Sequence, residues 1–198
     1  MIQNFIILEK KLFKNDRLIS TKSYLTLNRL LKNLFEEKKI NFLIQIGAND
    51  GLSFDELNFF IKKYKTKSLL VEPIEENFNL LKENYKNLDF ITFENSAISV
   101  NEEIAYLYKV DSRHIQEYGP HIPAIPSFDK KHLINHGVKN QHIVSEKVNS
   151  ITILDLINKH KFNNLDLNLK YNKYILLVFL GSTLFKFLFI ESHIFKNV

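Results

Sequence analysis

The sequence predicts an α/β fold in which helices flank a parallel sheet. Three observations support this prediction. Short apolar runs recur between residues 40 and 95, segments with helical spacing separate them, and the connections between them are short. A chain of 198 residues is long enough for one such domain and too short for two complete enzymatic domains.

The first half of the chain alternates between helical and strand patterns. An amphipathic helix is predicted over residues 22–39, followed by a strand over residues 42–46 that is covered on both faces. Ser53 and Glu56 have the spacing of a capping box and predict the start of a second helix. The rest of this half continues as strand, helix and strand, over residues 68–71, about 74–85 and 90–93.

The second half is less regular. Alternating apolar residues predict a half-buried strand over residues 104–110, and a further strand is predicted over residues 143–148. Thr152 and Asp155 have the spacing of a helix cap, and this helix is expected to run to about His160.

The composition excludes several classes of protein. Without cysteine, the chain has no disulfide framework, thiolate metal site, iron–sulfur cluster or cysteine nucleophile. The net charge of +5 comes from scattered lysines with only three arginines, so we expect a solvated surface and no nucleic-acid partner. The apolar run at residues 5–8 is too short for a signal peptide, and a cytoplasmic location is expected.

The strongest candidate for a ligand site is the G-A-N-D-G turn of residues 47–51, at the end of the first strand of the sheet. Its two glycines permit a sharp bend and a close approach of a ligand to the main chain. The helix after the turn is expected to offer free N–H groups to a carboxylate or phosphate. Glu72 ends the next strand, where a carboxylate can accept hydrogen bonds from both hydroxyls of a ribose. These features predict a nucleoside site; the alternative is that the glycines only shape a turn and Glu72 is a solvated strand end.

The spacing of the turn narrows the choice of nucleoside. It lacks the G-x-G-x-x-G pattern of dinucleotide-binding folds, and the chain has no P-loop. The turn at residues 47–51, together with Val71-Glu72-Pro73, resembles the FkbM family of S-adenosylmethionine-dependent methyltransferases. In that family a G-A-N-x-G loop follows a hydrophobic strand, and the second strand ends in Glu-Pro. The resemblance covers roughly residues 40–167, with further similar segments at residues 93–99, 105–108 and 148–157.

This resemblance implies a Rossmann-like class I methyltransferase sheet with flanking helices, S-adenosylmethionine as cofactor, and a hydroxyl of a small molecule or glycan as methyl acceptor. Glu72 would bind the ribose. No catalytic residue is assigned. Two further groups of residues are implied at the cofactor: Gly47, Ala48, Asn49, Asp50 and Gly51 at its methionine end, and Asn95, Ser96 and Ala97 along the adenine pocket.

The resemblance also implies a division of the chain into three parts. Residues 1–39 would be an N-terminal helical segment, residues 40–167 the cofactor-binding methyltransferase domain, and residues 168–198 an atypical apolar tail. Within the tail, residues 175–190 are expected to form a buried strand pair or a scrambled segment. A membrane anchor there is the weaker alternative, since the segment is shorter than the roughly 20 apolar residues of a span and contains Lys186.

Two departures from the family pattern lead to a second hypothesis. Gln45 stands where many members have aspartate. Where the family continues with a strand and an acidic motif beside the methyl group, this chain has no carboxylate between Asp166 and Glu191. We therefore expect a sheet that is incomplete towards the C-terminus, without its central acidic strand. We hypothesise that residues from about 168 to 185 are read out of frame or replaced, with the frame restored near Lys186. The alternative functions are a non-catalytic relative that keeps only cofactor binding, and an unrelated NAD- or nucleotide-sugar-binding domain.

Residues 111–142 hold three of the four prolines and little apolar periodicity beyond a short helix over residues 130–135. Such a segment is expected to be a lid or binding segment, or else disordered. His132 and His136 have the spacing of a metal-binding pair, but no glutamate lies beside them as in H-E-x-x-H, and no metal site is predicted. In a methyltransferase the segment would be a substrate lid able to supply one histidine as general base. The five histidines concerned are His114, His121, His132, His136 and His142.

Overall fold

The structure is a computed structural model that describes residues 5–14, 17–37, 40–53, 55, 57–100, 104–160, 174–179 and 186–191. In chain order its strands and α-helices are β1 (Phe5–Lys14), β2 (Arg17–Thr26), α1 (Leu27–Glu36), β3 (Ile40–Ile46), α2 (Leu57–Tyr64), β4 (Lys67–Val71), α3 (Glu75–Asn84), β5 (Ile91–Glu94), β6 (Ala97–Ile98), β7 (Ile104–Val110), α4 (Lys130–Asn135), β8 (Ile143–Ile151), α5 (Ile153–Lys159), β9 (Tyr174–Phe179) and β10 (Lys186–Glu191).

The main sheet has five strands in the order β10-β9-β3-β4-β5. All neighbours are parallel except β10, which runs antiparallel to β9. The chain passes from β3 to β4 and β5 on one side, and β9 then lies on the other side of β3, so the strand order reverses at β3. In open sheets of this kind a crevice forms outside the carboxyl ends of the strands at the reversal. The topology therefore places the end of β3, at Ile46, beside such a crevice.

Helices cover both faces of this sheet, as the apolar strand patterns predict. Leu43 and Leu70 face a core shared with α1, α2 and α3, whereas the alternate residues of the same strands face α5. This alternation follows from the two-residue period of a strand, which sends neighbouring side chains to opposite faces. The core on the α5 side comprises Phe42, Ile44, Leu69, Val71, Leu156 and Ile157.

A second, smaller sheet has the order β6-β8-β7, with β6 parallel and β7 antiparallel to β8. Between β7 and β8, residues 111–142 fold into three short 3₁₀ turns (Ser112–Glu117, Ile122–Ala124, Asn140–His142) and helix α4. This segment has a hydrophobic core of its own, so it is folded and the disordered alternative is wrong. That core comprises Val110, Ile122, Ile125, Leu133, Val138 and Ile143.

The N-terminal prediction is partly wrong. The helix predicted over residues 22–39 is present only as α1, and the chain before it forms an antiparallel hairpin in which Phe5 pairs with Thr26. The residues that lead into α1 are rich in β-branched and aromatic types, which favour strands. Tyr24 lies at a helical spacing from the apolar residues that follow it, but the position of one residue does not distinguish a helix from a strand. Residues 38 and 39 lie outside the described part of the chain.

The expectation of a sheet without its central acidic strand is wrong in one respect: a strand, β9, is present beside β3, although it carries no carboxylate. Strand β9 pairs in parallel with β3 over its whole length, and Phe179 lies level with Ile46. The hydrogen bonds of a ladder use main-chain groups only, so an apolar sequence can occupy this position as well as an acidic one. Strands β9 and β10 are paired, as the strand-pair alternative predicts for residues 175–190. Residues 161–173 and 180–185 lie outside the described residues.

No helix in the described part of the chain combines the length and the apolar character needed to cross a membrane.

Candidate functional site

The turn after β3 requires three residues with positive φ. Gly47 has φ of 76°, Asn49 of 51° and Gly51 of 72°, in the left-handed region that favours glycine and tolerates asparagine. The main-chain N–H groups of Gly47 and Ala48 both donate to the carbonyl of Val71, at 2.9 and 3.0 Å. The turn is thereby held over the carboxyl end of β4, next to Glu72.

Gly51 has a packing role rather than a place at the ligand. A Cβ on this residue would lie 2.6 Å from Leu81 Cδ1 and 2.6 Å from Tyr85 Cε2. Any larger residue would therefore push the turn away from α3.

Polar side chains accept hydrogen bonds from main-chain N–H groups between the turn and α2. Asp50 accepts hydrogen bonds from the main chain of Leu52 and Ser53, and its other oxygen accepts the Ser53 hydroxyl at 2.6 Å. Asp55 accepts from the N–H of Leu57, the first residue of α2. Of the predicted capping box, Ser53 donates its hydroxyl to Asp50, and Glu56 lies outside the described residues. Among the described residues, these bonds occupy the N–H groups of Leu52, Ser53 and Leu57, so these three are not free to bind an anion.

Glu72 is the central polar group of the site. Its side chain is 4% exposed, and its two oxygens accept the N–H groups of Asn49 and Ile74, each at 2.9 Å. Burial raises the pKa of Glu72 to about 7, although the two main-chain hydrogen bonds and one from the side chain of Asn77 act in the opposite direction. The two main-chain bonds leave a second lone pair on each carboxylate oxygen, of which the Asn77 side chain takes one and the other can accept a ligand hydroxyl. The alternative of a solvated strand end is wrong for this residue.

A cavity of about 330 Å³ lies beside Glu72. Glu72 is the single ionisable side chain among the described residues that line it, so no cation from this wall neutralises the carboxylate. A buried carboxylate beside a cavity without a cation can bind ligand groups that donate hydrogen bonds or carry positive charge. The predicted residues on this wall are Gly47, Asn49, Glu72, Ser96 and Ala97.

The other four predicted residues lie elsewhere. Ala48 is fully buried behind the turn, and Gly51 packs against α3. Asn95 turns its amide towards main-chain carbonyls, donating to Glu72 O at 2.8 Å and Pro73 O at 3.2 Å, so it shapes the wall without lining the cavity. Asp50 lines a neighbouring cavity.

This second cavity, of about 540 Å³, adjoins the first. The two share part of one wall, and residues of the 111–142 segment close the outer side of both. The second cavity combines apolar faces with exposed polar groups, which suits a hydroxyl-bearing ligand next to whatever occupies the first. The shared wall residues are Asn49, Ile74, Asn77, Ala124 and Pro126.

The sequence analysis missed Glu94, a buried carboxylate at the end of β5. It accepts hydrogen bonds from Lys159 at 2.9 Å and Ser96 at 3.0 Å, and His160 Nε2 lies 2.9 Å away. Burial acts to raise the pKa of Glu94, but these hydrogen bonds outweigh it and the pKa lies below its usual value. The cluster ties α5 to β5 and holds Ser96 at the cavity. An acidic residue at the end of a strand, the signal that identified Glu72, was also present here.

Gln45, the departure from the family pattern, lies fully buried in β3. It is close to Asp55, but the pair lacks good hydrogen-bond geometry, and both polar atoms of the Gln45 side chain stay unsatisfied within the described structure. Burial raises the pKa of Asp55 to about 6. This polar pair lies beneath the turn and lines neither cavity.

The histidines of residues 111–142 lie away from both cavities. None of the five lines either one, so the geometry gives no support to a histidine general base. His132 and His136 do lie close together, with ring centroids 4.4 Å apart, but the three-residue cluster of ligating groups in the described structure is His114, Glu117 and His142.

Comparison with known proteins does not identify the chain: no family model, no curated protein and no solved structure matches it.

Proposed function

We propose that this protein is an S-adenosylmethionine-dependent methyltransferase of the FkbM type that methylates a hydroxyl of a small molecule or glycan. The observation that carries the proposal is Glu72, a buried carboxylate without a cationic partner on the cavity wall, at the tip of β4 beneath the turn of residues 47–51. The reversal of strand order at β3 supports the same position on topological grounds.

The residues present fit this cofactor. Glu72 would accept the two ribose hydroxyls with the lone pairs that its main-chain partners leave free, one of them given up by the Asn77 side chain. The main chain at Gly47 and Asn49 would contact the methionine portion, and Ser96 and Ala97 would contact the adenine. The bound cofactor supplies a methyl group already activated by the sulfonium charge.

The contribution of the chain to methyl transfer is mainly positioning. Asn49 and Asn77 belong to the wall that the two cavities share, where an acceptor hydroxyl would meet the methyl group. Holding the hydroxyl oxygen in line with the methyl group converts a bimolecular step into an effectively unimolecular one. The proposal assigns no general base.

A non-catalytic relative that keeps cofactor binding is the second candidate. It is favoured by the sequence of β9, which holds no carboxylate and occupies the strand next to the turn. The out-of-frame hypothesis for residues 168–185 accounts for this sequence. Sequencing independent copies of the gene tests it: an acidic motif followed by glycine in another frame supports the hypothesis, and identical intact copies refute it.

Calorimetric titration with S-adenosylmethionine tests the binding proposal. We expect one molecule bound per chain, and Glu72→Gln should weaken binding by roughly 30-fold or more, because two hydrogen bonds to a charged acceptor are lost. Glu75→Gln, which removes an exposed carboxylate from the first turn of α3, is the matched control and should bind as the unaltered chain does. Binding of NAD in place of S-adenosylmethionine, or an unaffected Glu72→Gln variant, contradicts the proposal.

Methyl transfer needs a separate assay. The chain is incubated with methyl-labelled S-adenosylmethionine and a glycan extract, and label in the glycan fraction is counted. Transfer supports the enzyme, whereas binding without transfer to any fraction supports the non-catalytic relative.

A further inference from the structure

We propose that His114, Glu117 and His142 form a binding site for a divalent transition metal, with Zn²⁺ as the ion to test. The site would fasten the 3₁₀ turn Ser112–Glu117 to the turn Asn140–His142. It lies outside both cavities and does not depend on the proposed methyl transfer. One ligand atom from each of the three residues lies within 4.8 Å of the others.

The distances between these ligand atoms bracket those of a zinc site. His114 Nδ1 lies 2.6 Å from Glu117 Oε1, and His142 Nδ1 lies 3.8 Å from Glu117 Oε2. Ligand bonds of 2.0–2.2 Å in a tetrahedral arrangement separate neighbouring ligand atoms by about 3.4 Å. The first pair must therefore open by less than 1 Å and the second close by about half as much.

The two imidazole rings are stacked, with centroids 3.8 Å apart and planes 5° from parallel. The lone pair of a ring nitrogen lies in the ring plane, so parallel rings do not aim at one point. One ring must turn to bind a metal. His114 can do so because its side chain is 36% exposed, whereas the side chain of His142 is 6% exposed and fixed by its neighbours.

Tyr118 is a hydrogen-bond partner of the buried ligand His142. Its hydroxyl accepts the N–H of Lys139 at 3.1 Å and lies 2.7 Å from His142 Nδ1. The hydroxyl oxygen can accept from both neighbours, and Gln141 Nε2 lies 3.4 Å from the other ring nitrogen, so the His142 ring can carry its hydrogen on either nitrogen. A metal at Nδ1 would displace the hydrogen bond to Tyr118 and select the tautomer with the hydrogen on Nε2.

Lys139 competes with a metal ion for the carboxylate of Glu117. Its Nζ lies 3.3 Å from Glu117 Oε2, so it neutralises the carboxylate in the absence of an ion. The lysine side chain is largely exposed and can move into solvent when an ion binds. Two imidazoles and a carboxylate suit Zn²⁺ and similar ions, whereas Mg²⁺ prefers an all-oxygen shell.

The metal would stiffen a wall of the second cavity. Ser112 and Ile115 line that cavity, and His114 and Glu117 belong to the same short turn but do not line it. A metal that joins this turn to residues 140–142 would hold in place the part of residues 111–142 that borders the cavity. The role is structural, and it explains why none of the three ligands contacts the cavity.

Zinc titration of the full chain, followed by calorimetry and by thermal unfolding, tests the proposal. We expect one Zn²⁺ per chain and a rise in melting temperature with Zn²⁺ but not with Mg²⁺. Glu117→Gln and His114→Gln should each weaken zinc binding at least tenfold. Lys139→Gln should strengthen it several-fold, since it removes the competing charge.

The matched control is the double variant His132→Gln/His136→Gln, which removes the pair that the sequence spacing suggests. It should bind zinc within twofold of the unaltered chain. His142 is left intact because its burial couples it to folding. Absence of saturable uptake at 100-fold excess zinc over protein overturns the proposal. So does loss of binding in the double variant with binding retained in Glu117→Gln.

Discussion

Replacing Glu72 by glutamine should change the pH dependence of stability in a defined direction. Burial raises the pKa of Glu72 from 4.5 to about 7. The folded chain therefore holds the Glu72 proton more tightly than the unfolded chain does. The contribution of this group to the free energy of unfolding is fully present below pH 4.5 and is lost as the pH rises to 7. Glutamine does not titrate, so the variant should lack this loss.

The magnitude follows from the two pKa values. Each unit of pKa difference corresponds to about 1.4 kcal/mol. We compare with low pH, where Glu72 is protonated in both the folded and the unfolded chain. Relative to that state, ionisation of Glu72 lowers the free energy of unfolding by about 3 kcal/mol at pH 8 and by less than about 1 kcal/mol at pH 5. The difference in unfolding free energy between variant and unaltered chain should therefore shift by about 2 kcal/mol in favour of the variant between pH 5 and pH 8. A constant cost of the hydrogen bond that glutamine cannot accept cancels in this comparison.

Urea unfolding of both chains at pH 5, 6, 7 and 8, followed by circular dichroism, measures this shift. Asp55 also has a raised pKa, but it is present in both chains and drops out of the difference. Glu75→Gln controls for the removal of a carboxylate at an exposed position. A difference that stays flat within about 0.5 kcal/mol over this range would refute the reasoning, because it would mean that Glu72 is not desolvated.

Three further predictions concern the turn, the cofactor and a helix cap. Gly51→Ala should lower the free energy of unfolding by about 2–4 kcal/mol in urea, through positive φ and the clash with α3, whereas Gly137→Ala, with positive φ and open space, should cost only about 1 kcal/mol. The affinity for S-adenosylmethionine in calorimetry should fall about tenfold per pH unit below pH 7, since the ribose hydroxyls require the ionised Glu72, and a flat profile would contradict this. Thr152→Ala should cost about 1 kcal/mol in thermal or urea unfolding, because the Thr152 hydroxyl accepts the N–H of Asp155 at 3.1 Å, and an unchanged midpoint would contradict that role.

The parallel core could be predicted because its signals are local. The runs that became β3 and β4 hold consecutive apolar residues, which is typical of a strand covered on both faces. The cap at Thr152 was readable for the same reason, since donor and acceptor lie three residues apart. The N-terminal hairpin was missed although only two residues separate its strands, because these two residues, Asn15 and Asp16, lack the glycine that marks a two-residue hairpin turn in a sequence.

The candidate site was predictable only in part. The glycines located the turn, and an acidic residue at a strand end located Glu72. Both signals are local, because they depend on the main-chain conformation where a strand ends. Which neighbouring residues line the cavity depends on the direction of their side chains, which the sequence does not show. Ser96 lines the cavity, whereas Asn95 donates to a main-chain carbonyl and only shapes the wall. The cluster of His114 with His142 was not visible, since these residues are separated by 28 positions and meet through tertiary packing.

Under the proposed function, strand β9 bears on methyl transfer and not on cofactor binding. The main-chain hydrogen bonds of β9 complete the sheet beside β3, and the turn, Glu72 and the adjoining wall at Ser96 are held by β3, β4 and β5. An apolar strand in this position therefore leaves the proposed cofactor contacts in place while it removes the carboxylates that the family resemblance would set beside the methyl group. The active enzyme and the non-catalytic relative share every described contact of the first cavity. Affinity for S-adenosylmethionine is consequently expected in both, and only the transfer of a labelled methyl group distinguishes them.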